Sequence, residues 1–214
     1  MQFDRHYYET QYRDYERQNP SRKMHFYRSL ALRAAAGCER PRVLDIGCAF
    51  GLFLSRLNKN WELFGVDASE YAIELARKQV PRANLAVSPP GVFPFPGPFD
   101  VITAFDVLEH IEPLDEIMSW IALNLNPSGG LVFVVPVYDG PTGPVIRLLD
   151  RDPTHLHRES RDFWLSLARD HFEPLDWWGV TRYLFPNGFY LHAVTHRWRR
   201  FTPAIACLLR RTRV

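Results

Sequence analysis

The sequence predicts an α/β domain with a largely parallel sheet and helices on both faces. Three observations carry that expectation. Between Val43 and Val137, short apolar runs alternate with helical segments, as in sheets assembled from strand–helix–strand units. The run Val43-Leu44-Asp45-Ile46 breaks into the small-residue turn Gly47-Cys48-Ala49-Phe50-Gly51, with a helical pattern behind it. The next run, Glu62 to Val66, ends in Asp67. Strand, tight turn, helix, strand and acid, in that order, present a cofactor with a helix N-terminus and a carboxylate suited to a ribose.

Composition sets the outer bounds. A chain of 214 residues, 46% of them hydrophobic, can bury the core of one such domain. The formal net charge, 26 − 24 = +2, calls for no polyanionic partner and disfavours nucleic acid. Cys38, Cys48 and Cys207 show neither metal-ligand spacing nor a disulfide framework, which suits a reducing compartment. The opening MQFDRHYYETQYRDYERQ is too polar for a signal peptide, and no apolar run is long enough to span a bilayer. A cytoplasmic protein is therefore expected.

Residues 1–36 read as helical, interrupted at Asn19-Pro20 because the residue before a proline disfavours helix. Tyr7, Tyr8, Tyr12 and Tyr15 read either as packing against the domain or as a lid over a ligand, since such rings offer both a stacking face and a polar tip. Strands are expected at 41–46, 62–66, 83–87 and 99–104 and in LVFVVPV. Helices are expected at 50–57, where Phe50, Phe53, Leu54 and Leu57 share one face, and at 70–78 behind Ser69 as N-cap. Another opens at Pro113 and carries Leu114, Ile117, Met118, Ile121 and Leu125 on one face. Residues 138–158 form a connection of a length that is often functional. A last helix follows at Arg161 to His171, and Glu173–Arg182 and Phe189–Arg197 form an antiparallel hairpin around Pro186-Asn187-Gly188. One domain results: a helical lid or cap (1–36), a core (37–197) and a basic tail (198–214). The tail alternates arginines with a short apolar patch, as would a solvated extension, an oligomer contact or a peripheral membrane contact.

The turn after the first strand narrows the choice of cofactor. A dinucleotide wants G-x-G-x-x-G, whose second glycine lets the backbone approach a pyrophosphate. Here the turn is Gly47-x-Ala49-x-Gly51, and Leu52 stands in place of the third glycine. A ligand without phosphates relaxes that demand. The segments VLDIGCAFGLFL, FGVDASEYAIELAR, FDVITAFDVLEHI and NPSGGLVFVVP resemble, in order and spacing, the four core motifs of class I S-adenosylmethionine-dependent methyltransferases of the small-molecule type. The resemblance implies a Rossmann-like, doubly wound seven-stranded sheet in the order 3-2-1-4-5-7-6, with the seventh strand antiparallel. It implies that Asp45, Gly47, Cys48, Ala49 and Gly51 hold the amino-acid end of S-adenosylmethionine and that Asp67 accepts from both ribose hydroxyls. It places Ala68 beside the adenine, and Phe105 and Asp106 at the methionine portion and the acceptor mouth. Ser88 stands where the third motif often carries an acid, and Ala49 and Phe50 replace a glycine and a small polar residue of the commonest turn.

A sulfonium methyl is already electrophilic, so the protein chiefly has to place a nucleophile in line with it and exclude water. A hydroxyl nucleophile also has to lose its proton, most often to histidine. His110 follows Glu109 as in the Glu-His pair common after the family's fourth strand, with bracing of the next helix as the alternative. Thr154-His155 resembles the Thr-His pair many small-molecule members carry in the loop after the fifth strand; His155 is the candidate base or acceptor ligand, with loop bracing as the alternative. His155-x-His157 has no further metal ligand beside it in the sequence, so no metal is expected. Arg147, Arg151 and Arg158 read first as a solvated loop face, with contact to a carboxylate or phosphate on the acceptor as the alternative. The expected activity is methyl transfer to a small-molecule oxygen, ahead of nitrogen or carbon. A catalytically silent cofactor-binding protein and an NAD-dependent oxidoreductase are the alternatives.

Overall fold

The computed structural model describes residues 5–11, 15–150, 152–184 and 189–212. The order of elements is α1 (Arg5–Gln11), α2 (Tyr15–Gln18), α3 (Ser21–Ala34), β1 (Arg42–Ile46), α4 (Leu52–Ser55), β2 (Glu62–Asp67), α5 (Glu70–Gln79), β3 (Asn84–Val87) and β4 (Phe99–Phe105). A 3-10 turn at Leu108–His110 precedes α6 (Leu114–Asn124), β5 (Leu125–Pro136), α7 (Gly143–Leu149), α8 (Arg161–His171), β6 (Phe172–Leu184), β7 (Tyr190–Thr195) and β8 (Ala204–Arg211). Among the described residues the strands form one sheet in the order β3-β2-β1-β4-β5-β8-β6-β7. The first five run parallel, β8 is antiparallel to both β5 and β6, and β7 is antiparallel to β6.

The near-continuous apolar runs reflect burial on both faces. Successive side chains of a strand point to opposite sides. Leu44, Ile102, Leu131, Phe133, Ile205 and Cys207 therefore join the core under α6 and α8, with Ile117, Met118, Ile121 and Trp164. Val43, Val101, Val132, Val134, Ala206 and Leu208 join the core under α3, α4 and α5, with Tyr27, Leu30, Leu54 and Ile73. Ser69 caps α5 by accepting from Ala72 N, and Ser160 caps α8 by accepting from Phe163 N. The break at Asn19-Pro20 falls between α2 and α3, and α8 has the expected bounds.

Two expectations need correction. Among the described residues the sheet has eight strands rather than seven, and the segment expected as a basic tail contains the core strand β8. Ala204 to Leu209 are fully buried between β5 and β6. The alternation of arginines and apolar residues misled because the apolar stretch is strand-length and buried on both faces, while Arg211 at its end donates to the Leu125 carbonyl. Read as the family's seventh strand, β8 restores the order 3-2-1-4-5-7-6, and β7 is an added edge strand. Residues 138–158 also contain the short helix α7. Tyr12, Arg151 and the turn at Pro186-Asn187-Gly188 lie outside the described residues.

A chain ending at Thr202 would leave facing edges of β5 and β6 unpaired and one layer of each core missing. It should show no cooperative thermal transition by circular dichroism, and Leu208→Ala should cost about 2–5 kcal/mol in urea denaturation. A truncated chain that melts cooperatively near the full-length temperature would contradict the placement of β8.

Candidate active site

The carboxyl ends of β1, β2 and β4 open into a cavity of about 330 Å³, the place where parallel sheets of this kind bind ligands. The turn after β1 is built for close approach. Gly47 N and Cys48 N donate to Val66 O at 2.8 and 3.0 Å, stitching the turn to β2. Gly47 has φ +70°, and a Cβ there would lie 2.6 Å from Val107 Cγ2. Gly51 has φ +74°, and a Cβ there would meet Val80 Cγ1 at 2.9 Å. Ala49, at φ 44°, directs its N–H to Asp67 Oδ2 at 2.9 Å. Cys48 is buried, and burial pushes its thiol well above the ordinary range.

Asp67 ends β2 with both oxygens engaged. Ser69 N donates to Oδ1 at 2.9 Å, and the Tyr8 hydroxyl reaches Oδ1 and Oδ2 at 3.3 and 3.4 Å. Tyr8 and Tyr15 pack on Phe50, with ring centroids 5.1 and 4.5 Å apart. The aromatic residue that departs from the usual turn thus forms the seat of the N-terminal helices. Asp45 lies beneath the turn and accepts from Thr103 Oγ1 at 2.6 Å; burial raises its pKa to about 7, with Thr103 opposing. Ala68 and Ser88 line the cavity. The Ser88 hydroxyl is spent on Val92 O at 2.6 Å, holding the Pro89–Gly91 turn.

The other end of the cavity is polar. Phe105 stacks on Tyr27 at 4.1 Å. Asp106, at φ 59°, is paired with Arg182 of β6. Burial raises the Asp106 carboxyl, but Arg182 and then Lys23 outweigh it and bring the pKa below the usual value. Lys23 is buried beside the Tyr27 and Tyr190 rings, and burial lowers its pKa to about 8 against the pull of Asp106. Sequence reasoning missed Lys23, Arg182 and Tyr190; only contact across the sheet reveals them.

His110 and His155, separated by 45 positions in the chain, are brought together, with ring centroids 4.7 Å apart and planes tilted by 51°. Leu156 N and His157 N both donate to the Glu109 carbonyl, at 2.9 and 3.1 Å, clamping the long loop onto the turn after β4. His155 Nδ1 meets Asp150 Oδ2 at 2.9 Å, and the Tyr138 hydroxyl donates to the same oxygen at 2.6 Å. Burial, then His155, lowers the His110 pKa. Burial, then Asp106, pushes the Glu109 carboxyl well above the usual range. His157 turns away, its Nε2 donating to Ile111 O at 3.0 Å. Arg158 binds Asp150, and Arg147 binds the Arg158 carbonyl, so both brace the loop.

A methyltransferase-domain family model matches residues 11–194. This chain belongs to the S-adenosylmethionine-dependent methyltransferases of class I fold. The family uses S-adenosylmethionine as its methyl donor. A ubiquinone biosynthesis O-methyltransferase from Mesorhizobium japonicum is 34% identical over 113 residues, 49% of this chain and 44% of that relative. The chain spans less than half the length of the first curated relatives it matches. Among solved structures, the N-methyltransferase NodS from Bradyrhizobium japonicum superposes with a TM-score of 0.63 at 16% identity, covering 91% of this chain and 99% of that one. The [4+2]-cyclase SpnF superposes with a TM-score of 0.61 at 19% identity, covering 87% and 80%. These likenesses show a shared fold. Among the described residues, no helix is long and apolar enough to cross a membrane.

Asp45 gives a pH signature. Its folded pKa of about 7 lies above the unfolded value, so between about pH 4 and 7 the folded state keeps a proton that the unfolded state releases. Stability contributed by this group is full at the acid end and falls as pH rises, by up to ~1.4 kcal/mol per unit. Asp45→Asn retains an acceptor for Thr103 and should flatten the slope in urea denaturation of the cofactor-free protein. Parallel slopes for both proteins would contradict this assignment.

Proposed function

We propose that the chain transfers the methyl group of S-adenosylmethionine to an oxygen of a small-molecule acceptor. The observation that carries the reading is the meeting of Glu109, His110 and His155 in a cavity that is also lined by Gly47, Cys48, Ala49 and Asp67. Asp67 takes the ribose diol, whose hydroxyls substitute for the Tyr8 donor. Asp45 and the turn backbone face the amino-acid end, Ala68 and Ser88 border the adenine, and Phe105 and Asp106 border the methionine portion. The cationic sulfonium then points its methyl toward the histidine cluster. A hydroxyl acceptor needs its proton removed or displaced as its oxygen attacks, and this cluster is the basic set in reach. The name of the O-methyltransferase relative supports an oxygen acceptor. α1, through Tyr8, acts as the lid that excludes water.

Calorimetry should show binding of S-adenosylmethionine and of its demethylated product, and labelled methyl should move to hydroxylated small molecules in a panel. His155→Ala should lower turnover ~10²-fold or more while cofactor affinity stays within ~2-fold. Cofactor binding without transfer to any hydroxylated acceptor, or full activity of the variant, would sink the assignment.

A further inference from the structure

One carboxylate oxygen of Glu109 and one ring nitrogen each of His110 and His155 lie within 4.8 Å of one another. The tautomers of both rings follow from their partners. His110 Nδ1 lies 3.0 Å from the Thr154 carbonyl, which can only accept. Nδ1 therefore carries the proton, and Nε2 the lone pair. His155 Nδ1 donates to the Asp150 carboxylate, itself anchored by Tyr138 and by Arg158 at 3.1 Å, so its Nε2 also carries a lone pair. Hydrogen bonds from the second nitrogen to a carbonyl or carboxylate are the support that metal-bound histidines receive. Glu109 is 1% exposed, and its Oε2 has no hydrogen-bond partner among the described residues. A buried carboxylate oxygen left unmet is costly, and a cation at this point would satisfy it. The paired backbone bonds from Leu156 and His157 to the Glu109 carbonyl hold the groups on one preformed frame.

We propose that Glu109, His110 and His155 bind one divalent first-row transition-metal ion of the Zn²⁺ type at the acceptor end of the cavity. Two imidazoles and one carboxylate suit such an ion, whereas Mg²⁺ and Ca²⁺ prefer oxygen ligands throughout. Three protein ligands leave a position open for another oxygen. All three residues line the cavity, so that oxygen would be the acceptor hydroxyl. Bound to the cation, the hydroxyl loses its proton to solvent at a lower pH than it would free. The alkoxide or phenoxide then forms the new O–CH₃ bond, the S–CH₃ bond breaks, and its electron pair stays on sulfur as a neutral thioether. This role rests on the O-methyl reading above; binding of the ion does not.

The test is titration of chelator-stripped protein with Co²⁺, read by visible absorption, and with Zn²⁺, read by calorimetry. One equivalent should bind. Glu109→Gln and His155→Ala should each weaken it by ~10-fold or more, and His25→Ala, at an exposed position, should leave it unchanged. S-adenosylmethionine affinity reports that the variants are folded. If either loses that affinity, Asp150→Asn, which lies behind the His155 ring, decides: metal affinity falls ~10-fold or more under the proposal. No stoichiometric uptake by the wild type, or uptake undiminished in the variants, overturns it. Methyl transfer at full rate in stripped protein overturns the ion's role and leaves the O-methyl reading intact, while failure to bind S-adenosylmethionine would remove that reading with the Co²⁺ result still standing.

Discussion

The Asp67 carboxylate is the constraint on which the rest of the site depends. It ends β2 in near-complete burial, where an ionised group needs donors from every side. Those donors come from three separate stretches: Ala49 of the turn after β1, Ser69 at the start of α5, and Tyr8 of α1. Burial raises the carboxyl, and the backbone N–H groups of Ser69 and Ala49, then the Tyr8 hydroxyl, oppose it. The turn after β1, α5 and α1 are thus held in register by one group. Ala49 and Ser69 donate through backbone amides fixed by the turn and the start of α5. The third is a side-chain hydroxyl on a short helix, and under the proposed function it is the donor that a ribose replaces.

The part of the cavity around Asp106, Glu109 and His155 obeys a different logic. None of its parts is continuous in sequence. Because β8 is antiparallel to both β5 and β6, β6 runs in the direction of β4, and Arg182 near its carboxyl end meets Asp106 across 76 positions. The long loop after β5 returns to the same place and is fastened to the Glu109 carbonyl by two backbone bonds. The charges in this region are consequently paired or supported: Asp106 with Arg182, Asp150 with His155 and Arg158. Two carboxyl oxygens here have no hydrogen-bond partner among the described residues: Asp106 Oδ1, whose other oxygen meets Arg182, and Glu109 Oε2.

The parallel half of the domain was legible because its signals are local. VLDI followed by the glycine turn, Ser69 as a cap and Asp67 at a strand end each owe their structure to a few neighbouring residues. The antiparallel half was legible only in part. The strands of the β6–β7 hairpin were expected on either side of Pro186-Asn187-Gly188, but AIACLL reads equally as a surface patch or a buried strand until its two partners are known. The same limit governed the site. His110 and His155 were found one at a time, from their neighbours Glu109 and Thr154, whereas their meeting depends on the path of a 21-residue connection. Lys23 and Arg182 carry no local mark, since a basic residue in an amphipathic helix or near a strand end is ordinarily solvated.

The central claim is that one buried carboxylate organises a cofactor site in this chain. Its most direct test is calorimetric titration of Asp67→Ala and wild-type protein with the demethylated cofactor product, S-adenosylhomocysteine, which isolates binding from chemistry. Loss of a charge-assisted pair predicts affinity weaker by roughly 10-fold or more in a variant that remains folded. Equal affinity in the two proteins would contradict the account.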